Sequence, residues 1–94
     1  MELRPGMIVQ HFKRETLDEE SKKSNKYLYR IVGIGQHTET KEQCVVYRAL
    51  YSDPKADIFF GMYIRPYDMF MSEVDHEKYP DIKQKYRFEP YLGD

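Results

Sequence analysis

The fold is decided by one stretch of the sequence, Cys44-Val45-Val46-Tyr47-Arg48-Ala49-Leu50-Tyr51. β-branched and aromatic side chains dominate it, and polar turn formers flank it at residues 37–40 and 52–55, a pattern typical of a β-strand. Further strand-like runs lie on either side of it along the chain. The sequence therefore predicts a small antiparallel sheet with aromatic rings at its surface.

Four further strands are predicted from the same kind of pattern, at residues 7–12, 27–34, 58–64 and 86–88. The connection after the second strand is too short for a crossover, so strands two and three are expected to pair antiparallel. Gly33 and Gly35 are expected to mark a bulge, and Pro66 to end the fourth strand and open a short helical turn. The apolar residues of that turn are expected to face the core: Met69, Phe70 and Val74.

The predicted fold class is mainly β, a small SH3-like antiparallel β-barrel of about five strands with one short helical turn. A flat antiparallel sheet carrying one helix is the alternative. With 94 residues, the chain is expected to form a single domain over residues 1–94, with a polar inserted loop at residues 14–26. We expect this loop to be mobile; the alternative is one helical turn capped by Thr16, with Glu19 three residues on.

Composition narrows the possible functions. The single Cys44 excludes an internal disulfide and a cysteine-based zinc site. The sequence shows no signal peptide and no apolar run near the ~18 residues that a membrane helix needs, which predicts a cytoplasmic protein. The 15 Lys+Arg against 16 Asp+Glu give no basic excess for nucleic acid, although a local patch is compatible with this total. A phosphate-binding glycine loop and a nucleophile elbow are both missing, which weighs against an enzyme.

Short motifs along the chain resemble a bacterial family, domain of unknown function 1653 (DUF1653). The motifs occur in the family's order: Pro5-Gly6, His11-Phe12-Lys13, Tyr29-Arg30-Ile31-Val32, His37-Thr38-Glu39-Thr40, Val45 to Tyr51, Arg65-Pro66 with Met69-Phe70, and Arg87-Phe88. The resemblance implies a compact β-rich domain and supplies no catalytic residue. The chain departs from the family in the inserted segment 14–26, and in having Tyr63 where the family carries a Trp two residues before its Arg-Pro.

Nine tyrosines with no tryptophan form the first candidate site. Strand alternation places Tyr27 and Tyr29 on one face of the second strand, and Tyr47 and Tyr51 on one face of the third. Such rings form an aromatic groove suited to a proline-rich peptide or to unstacked bases. The alternative is that these tyrosines fill a thin core with their hydroxyls in water. Two arginines are candidates for the rim of the groove: Arg30 and Arg48.

A second candidate site is the polar turn at His37, Thr38 and Glu39. An imidazole beside a carboxylate suits acid–base or metal chemistry, and His11 joins them if the first two strands bring it near. The alternative is a structural turn whose polar side chains satisfy the backbone. Arg65 is likewise expected either to point at a ligand or to pair with a carboxylate, Asp68 or Glu73.

Together these features predict a small binding module that recognises a peptide or polymer segment, with no catalytic residue, metal or cofactor. The predicted binding residues are Tyr29, His37, Glu39, Tyr47, Arg48, Tyr51, Tyr63 and Arg65. One alternative is a nucleic-acid-binding domain that adds basic residues to the same face: Lys13, Arg14, Lys22, Lys23 and Lys26. The other is a small metal-dependent or histidine-based enzyme. A protein or peptide partner is favoured over nucleic acid, no membrane partner is predicted, and the sequence leaves the oligomeric state open.

Overall fold

The computed structural model describes residues 1–52 and 61–93 of the chain. Within these ranges, five antiparallel strands form one sheet in the order β4-β3-β2-β1-β5. The strands are β1 (Ile8–His11), β2 (Leu28–Gln36), β3 (Gln43–Ala49), β4 (Met62–Pro66) and β5 (Phe88–Pro90). A 3₁₀ helix (Phe12–Thr16) and two four-residue helices, α1 (Glu19–Lys22) and α2 (Tyr67–Phe70), connect or flank them. The prediction of a mainly β protein is confirmed.

The hairpin of β2 and β3 is the centre of the sheet, as the sequence predicts. Its register shifts between Ile31 and Gly33, which leaves Val32 as the extra residue, so the predicted bulge lies next to Gly33. Gly35 pairs in regular register with Cys44 and marks no bulge. β4 pairs with β3 and ends at Pro66, which has no N–H to continue the ladder. The first part of the predicted fourth strand, at residues 58–60, and most of the turn predicted at residues 52–55 lie outside the described residues.

The sheet is open, so the prediction of a closed barrel is wrong for the described chain, and an SH3-like fold is not confirmed. β4 and β5 occupy the two edges, and no ladder joins them in residues 1–52 and 61–93. Side chains span the gap between the edges instead. The Phe88 ring of β5 stacks on Phe70 of α2, with centroids 4.0 Å apart, and lies 5.5 Å from the Tyr47 ring of β3. The sheet is therefore curled around an aromatic core without backbone closure.

The core occupies the concave face of this curled sheet. Its fully buried side chains come from four strands and α2: Val9, Ile31, Val45, Phe70 and Phe88. Val74 is buried in a second cluster with Phe12 and Ile82. The prediction for Met69 is wrong, because the side chain is 49% exposed. In a helix of four residues only one side reaches the sheet, and Phe70 occupies it.

The segment between β1 and β2 is folded around a buried arginine and contains the short helix α1, so the helical alternative is the one observed. Arg14 is only 2% exposed, and its guanidinium donates to three backbone carbonyls of the segment: Lys22 (2.9 Å), Ser24 (3.2 Å) and Lys26 (2.7 Å). Asp18, not Thr16, caps α1 by accepting from the Ser21 N–H. A buried guanidinium with several acceptors thus replaces a hydrophobic core in this segment.

The irregular stretch from α2 to β5 is held by polar contacts. The Glu15 carboxylate accepts the backbone N–H groups of Lys83 (2.9 Å) and Gln84 (2.7 Å), while the buried Gln84 amide donates to the Gln10 and Tyr86 carbonyls. These contacts fix the chain that leads into β5. Across the described residues, no helix is long and apolar enough to cross a membrane.

Candidate functional site

A pocket of about 170 Å³ opens on the concave face of the sheet, and all five strands contribute to its wall. We call it the tyrosine pocket. Its lining residues are His11, Lys13, Tyr27, Tyr29, Tyr47, Tyr63, Arg65 and Phe88. Four of the eight predicted binding residues line it, and a fifth, Tyr51, contacts it from behind through the Tyr29 ring.

Strand alternation and register explain why these side chains meet. Residues paired across an antiparallel ladder share a face, and Tyr47 pairs with Tyr63. Arg65 pairs with Val45, which is fully buried in the concave face, so the Arg65 side chain is directed to the same face. His11 lies two residues after the buried Val9 and follows the same rule. The two-residue spacing of Tyr63 and Arg65 in the sequence therefore already indicated a shared face.

The tyrosine rings contact one another in a continuous cluster, and two of them, Tyr29 and Tyr47, are buried in the core, as the alternative interpretation of the tyrosines expected. The Tyr29 ring meets Tyr47 and Tyr51 edge to face, with centroids 5.3 and 5.7 Å apart, and Tyr47 stacks against Tyr63 at 5.6 Å. Tyr27 precedes β2 with φ of 66°, a left-handed conformation that is uncommon for a bulky residue. Its ring meets Tyr51 at 6.0 Å, so this backbone strain serves to add a ring to the pocket wall.

The hydroxyl groups of the cluster are ordered by hydrogen bonds. The Tyr29 and Tyr51 hydroxyl oxygens are 2.8 Å apart, and Arg65 Nε donates to the Tyr47 hydroxyl at 3.2 Å. Burial, followed by the hydrogen bond with Tyr51, raises the pKa of Tyr29 far above its usual range. Because the Tyr47 oxygen accepts from Arg65, its own proton is available to a ligand acceptor.

His11 contributes a neutral imidazole to the pocket wall. Burial, followed by the nearby charges of Arg65, Lys13 and Arg87, lowers the pKa of His11 to about 4. Its Nδ1 accepts the backbone N–H of Lys13 at 3.1 Å, which caps the 3₁₀ helix. A neutral ring that accepts at Nδ1 carries its proton on Nε2. The ring therefore offers a donor, not a charge.

The electrostatics of the tyrosine pocket are one-sided. Lys13 and Arg65 bring two positive charges into its lining, and no carboxylate lines it among the described residues. The expected ion pair of Arg65 with Asp68 or Glu73 is wrong, because Arg65 forms no ion pair within the described residues. The Glu73 carboxylate lies 3.6 Å from Lys85, and the Arg65 guanidinium lies over the Phe88 ring at 5.4 Å. Arg65 therefore presents an uncompensated positive charge to a ligand that enters the tyrosine pocket.

The polar turn lies far from this pocket. The His37 Nδ1 accepts the backbone N–H groups of Glu39 (3.1 Å) and Thr40 (3.2 Å), which is the structural interpretation of the turn. Tyr27, whose carbonyl accepts the His11 N–H, and His37 stand at opposite ends of β2, about 30 Å apart at roughly 3.3 Å per residue.

The metal hypothesis needed His11, His37 and Glu39 together, and the fold separates them. No cluster of three or more potential His, Cys, Asp or Glu ligands occurs in residues 1–52 and 61–93.

Other predicted residues lie on different surfaces. Arg48 is exposed on the convex face, where it pairs with Arg30 of β2. Of the basic residues proposed for nucleic acid, only Lys13 lines the tyrosine pocket. Arg14 is buried, and the Lys23 ammonium lies 3.2 Å from a Glu20 carboxylate oxygen on the surface. No pattern in the sequence indicated that one wall would be formed by His11, Lys13, Tyr27 and Phe88.

A larger cavity of about 600 Å³ lies beside β5. The carboxylate in its lining, Glu89, accepts the backbone N–H groups of Lys85 (3.0 Å) and Tyr86 (2.9 Å). That carboxylate is thus committed to the local backbone, and the cavity offers mainly apolar contact.

These features define a class of protein, namely one with an open, curled five-stranded antiparallel sheet and an aromatic pocket on the concave face of that sheet. The model of the family described as "Protein of unknown function (DUF1653)" matches residues 7–90, so the chain belongs to that family. The resemblance seen in the sequence motifs is thereby confirmed. Comparison with curated proteins found no match, and comparison with solved structures found none either.

Proposed function

We propose that this protein is a binding module that holds a ring-bearing, negatively charged segment of a polymer in the tyrosine pocket. The observation that carries the proposal is the composition of the pocket wall. It joins five aromatic rings to the positive charges of Lys13 and Arg65, and no carboxylate lines it in the described chain.

Each part of this wall has a physical role in binding. The half-buried Tyr27 and Tyr63 rings offer contact area at a low cost in side-chain entropy. The rings behind them belong to the buried core: Tyr29, Tyr47 and Phe88. A guanidinium beside the rings binds an anionic group through short, charge-assisted hydrogen bonds. Arg65 is already held in place by the Tyr47 hydroxyl and the Phe88 ring, so little further ordering is needed when a ligand enters.

The test is an amide-resolved NMR titration with separate polymer probes: oligouridylate, a glutamate-rich peptide containing tyrosine, and a proline-rich peptide. We expect shifts at Tyr29, Tyr47 and Arg65 with a negatively charged probe and none with the proline-rich one. In Arg65→Gln the affinity should fall about tenfold or more, because a charge-assisted hydrogen bond is lost.

The matched control is Arg48→Gln, which removes the same charge from the convex face of the sheet and should leave the affinity unchanged. An equal loss in both variants, or shifts confined to the convex face, would contradict a site in the tyrosine pocket.

A further inference from the structure

The tyrosine pocket continues into a second cavity of about 290 Å³. His11, Lys13 and Arg65 belong to both linings, so the two cavities share a wall. Beyond that wall, the second cavity adds Lys78 and Arg87. We call this second cavity the cationic groove. One continuous site therefore has an aromatic end and a positively charged end.

The charge of the groove is strongly biased. Four cations line it, namely Lys13, Arg65, Lys78 and Arg87, against the single carboxylate of Asp75. The Asp75 Oδ1 is engaged in its own turn, where it accepts the backbone N–H groups of Glu77 (3.1 Å) and Lys78 (3.3 Å). Within the described ranges, none of the four cations forms an ion pair. The groove is thus suited to several negative charges in a row.

No carboxylate lines the aromatic end among the described residues, and this end is rich in donors. The Tyr47 hydroxyl and the Nε2 of neutral His11 both have a proton to donate, and the Lys13 ammonium adds more. A flat group with carbonyl acceptors on its edge matches such a wall. A cavity of about 170 Å³ has room for one such ring.

From this juxtaposition we propose that the ligand is a single-stranded nucleic acid, with one base in the tyrosine pocket and its phosphates along the cationic groove. This inference rests on the proposed function and names its ligand. Base stacking on aromatic rings beside a backbone-tracking cationic groove is how single strands are held. An acidic peptide that contains tyrosine matches the groove and brings a ring, but a phenol ring carries no carbonyl acceptors on its edge for the donors of the pocket. The near-neutral total charge of the chain does not oppose the proposal, because the four cations are local.

The test uses the whole chain and a fluorescent oligouridylate of about eight nucleotides, within the usual site size of such modules. With three or four phosphate contacts, a slope of about −0.7 per contact predicts binding that is ~20- to 50-fold weaker at about 200 mM than at 50 mM salt. An oligothymidylate of equal length is the second arm, and it separates RNA from DNA as the source of the same chemistry.

Two kinds of variant separate the two ends of the site. Lys78→Gln and Arg87→Gln should each reduce the salt slope by about 0.7, whereas the control Lys22→Gln, on the exposed α1, should not. Tyr63→Ala should weaken binding about 5-fold to 100-fold and leave the slope unchanged, since it removes stacking and no charge. Tyr63→Phe keeps the ring and should restore most of the affinity. Thermal unfolding of each variant shows whether it folds, and Lys78→Gln, at an exposed residue, and Arg87→Gln, at a half-buried one, keep the test valid if Tyr63→Ala unfolds.

Each outcome of these measurements supports or contradicts the inference. The inference is supported if binding shows the expected salt slope, if Tyr63→Ala lowers the affinity without changing that slope, and if Lys78→Gln and Arg87→Gln reduce the slope. Binding of the glutamate-rich peptide but not of either oligonucleotide overturns it and leaves the proposed function standing. Equal binding of duplex and single strand, insensitive to Tyr63→Ala, overturns base insertion. If no negatively charged probe binds, both the inference and the proposed function fail.

Discussion

Replacing Arg14 with methionine removes the central contact of the segment between β1 and β2 while keeping a similar side-chain volume. The guanidinium is almost fully buried, and it donates to the carbonyls of Lys22, Ser24 and Lys26. The Lys26 carbonyl immediately precedes Tyr27, whose ring lines the tyrosine pocket. We therefore expect the substitution to loosen the segment and to disturb one wall of the pocket.

The magnitude follows from the three hydrogen bonds. A hydrogen bond to a charged group contributes about 1.5–3 kcal/mol when both partners stay buried. Here the acceptors belong to surface residues, whose carbonyls regain water once the segment loosens, so about 1 kcal/mol each is the better value. The free energy of unfolding should fall by about 3 kcal/mol, which for a chain of this size lowers the midpoint of thermal unfolding by about 12–24 °C.

Urea unfolding followed by tyrosine fluorescence measures the loss, and hydrogen exchange at residues 22–28 locates it. Arg14→Lys keeps the charge but not the planar set of donors, so it should lie between the native protein and Arg14→Met. Lys13→Met is the control, because Lys13 is an exposed neighbour with no such contacts, and it should change stability by less than about 0.5 kcal/mol. A loss below about 1 kcal/mol in Arg14→Met, with unchanged exchange at residues 22–28, would refute this account of the segment.

Two further predictions concern charge. The pKa of His11 falls from 6.5 unfolded to about 4 folded, so the unfolded chain binds the extra proton, and stability should drop by about 2–3 kcal/mol as pH falls from 6.5 to 4. His11→Asn, which keeps a capping acceptor, should flatten this part of the pH profile of urea unfolding; an unchanged profile in His11→Asn would contradict the prediction. Arg30 and Arg48 lie directly opposite each other in β2 and β3, so their like charges repel. Arg48→Glu should therefore raise the free energy of unfolding by about 0.5–1 kcal/mol in the same assay. No gain in stability would mean that water already screens the two charges.

The strands at the centre of the sheet were predictable because their sequences carry the signal themselves. The β-branched and aromatic run at Val45 to Tyr47 and the glycine at the bulge determine β3 and its register against β2. Closure of the sheet was not predictable in this way. It depends on whether β4 and β5 meet through backbone or through side chains, and the stacked pair of Phe70 and Phe88 fills that gap instead.

The candidate site was predictable in part, for similar reasons. Alternation placed Tyr29 and Tyr47 on the concave face, where both line the pocket. The burial of Arg14 gave no local signal, because an arginine in a polar run is typical of a solvated surface. His37 and Glu39 have side chains suited to metal binding or acid–base catalysis, but they lie at the far end of a long hairpin. Only the length of β2 shows how far they are from His11.

The pocket draws on both ends of the chain, and this has a consequence for folding. The β2–β3 hairpin forms through neighbours in sequence, whereas His11 pairs with Phe88 across most of the chain. Contacts between distant residues close large loops and are expected late in folding. A molecule that fits the pocket would then recognise only the finished chain, and would stabilise it by about 2.7 kcal/mol at a hundredfold excess over its dissociation constant. Protection against unfolding can therefore screen for ligands before any ligand is known.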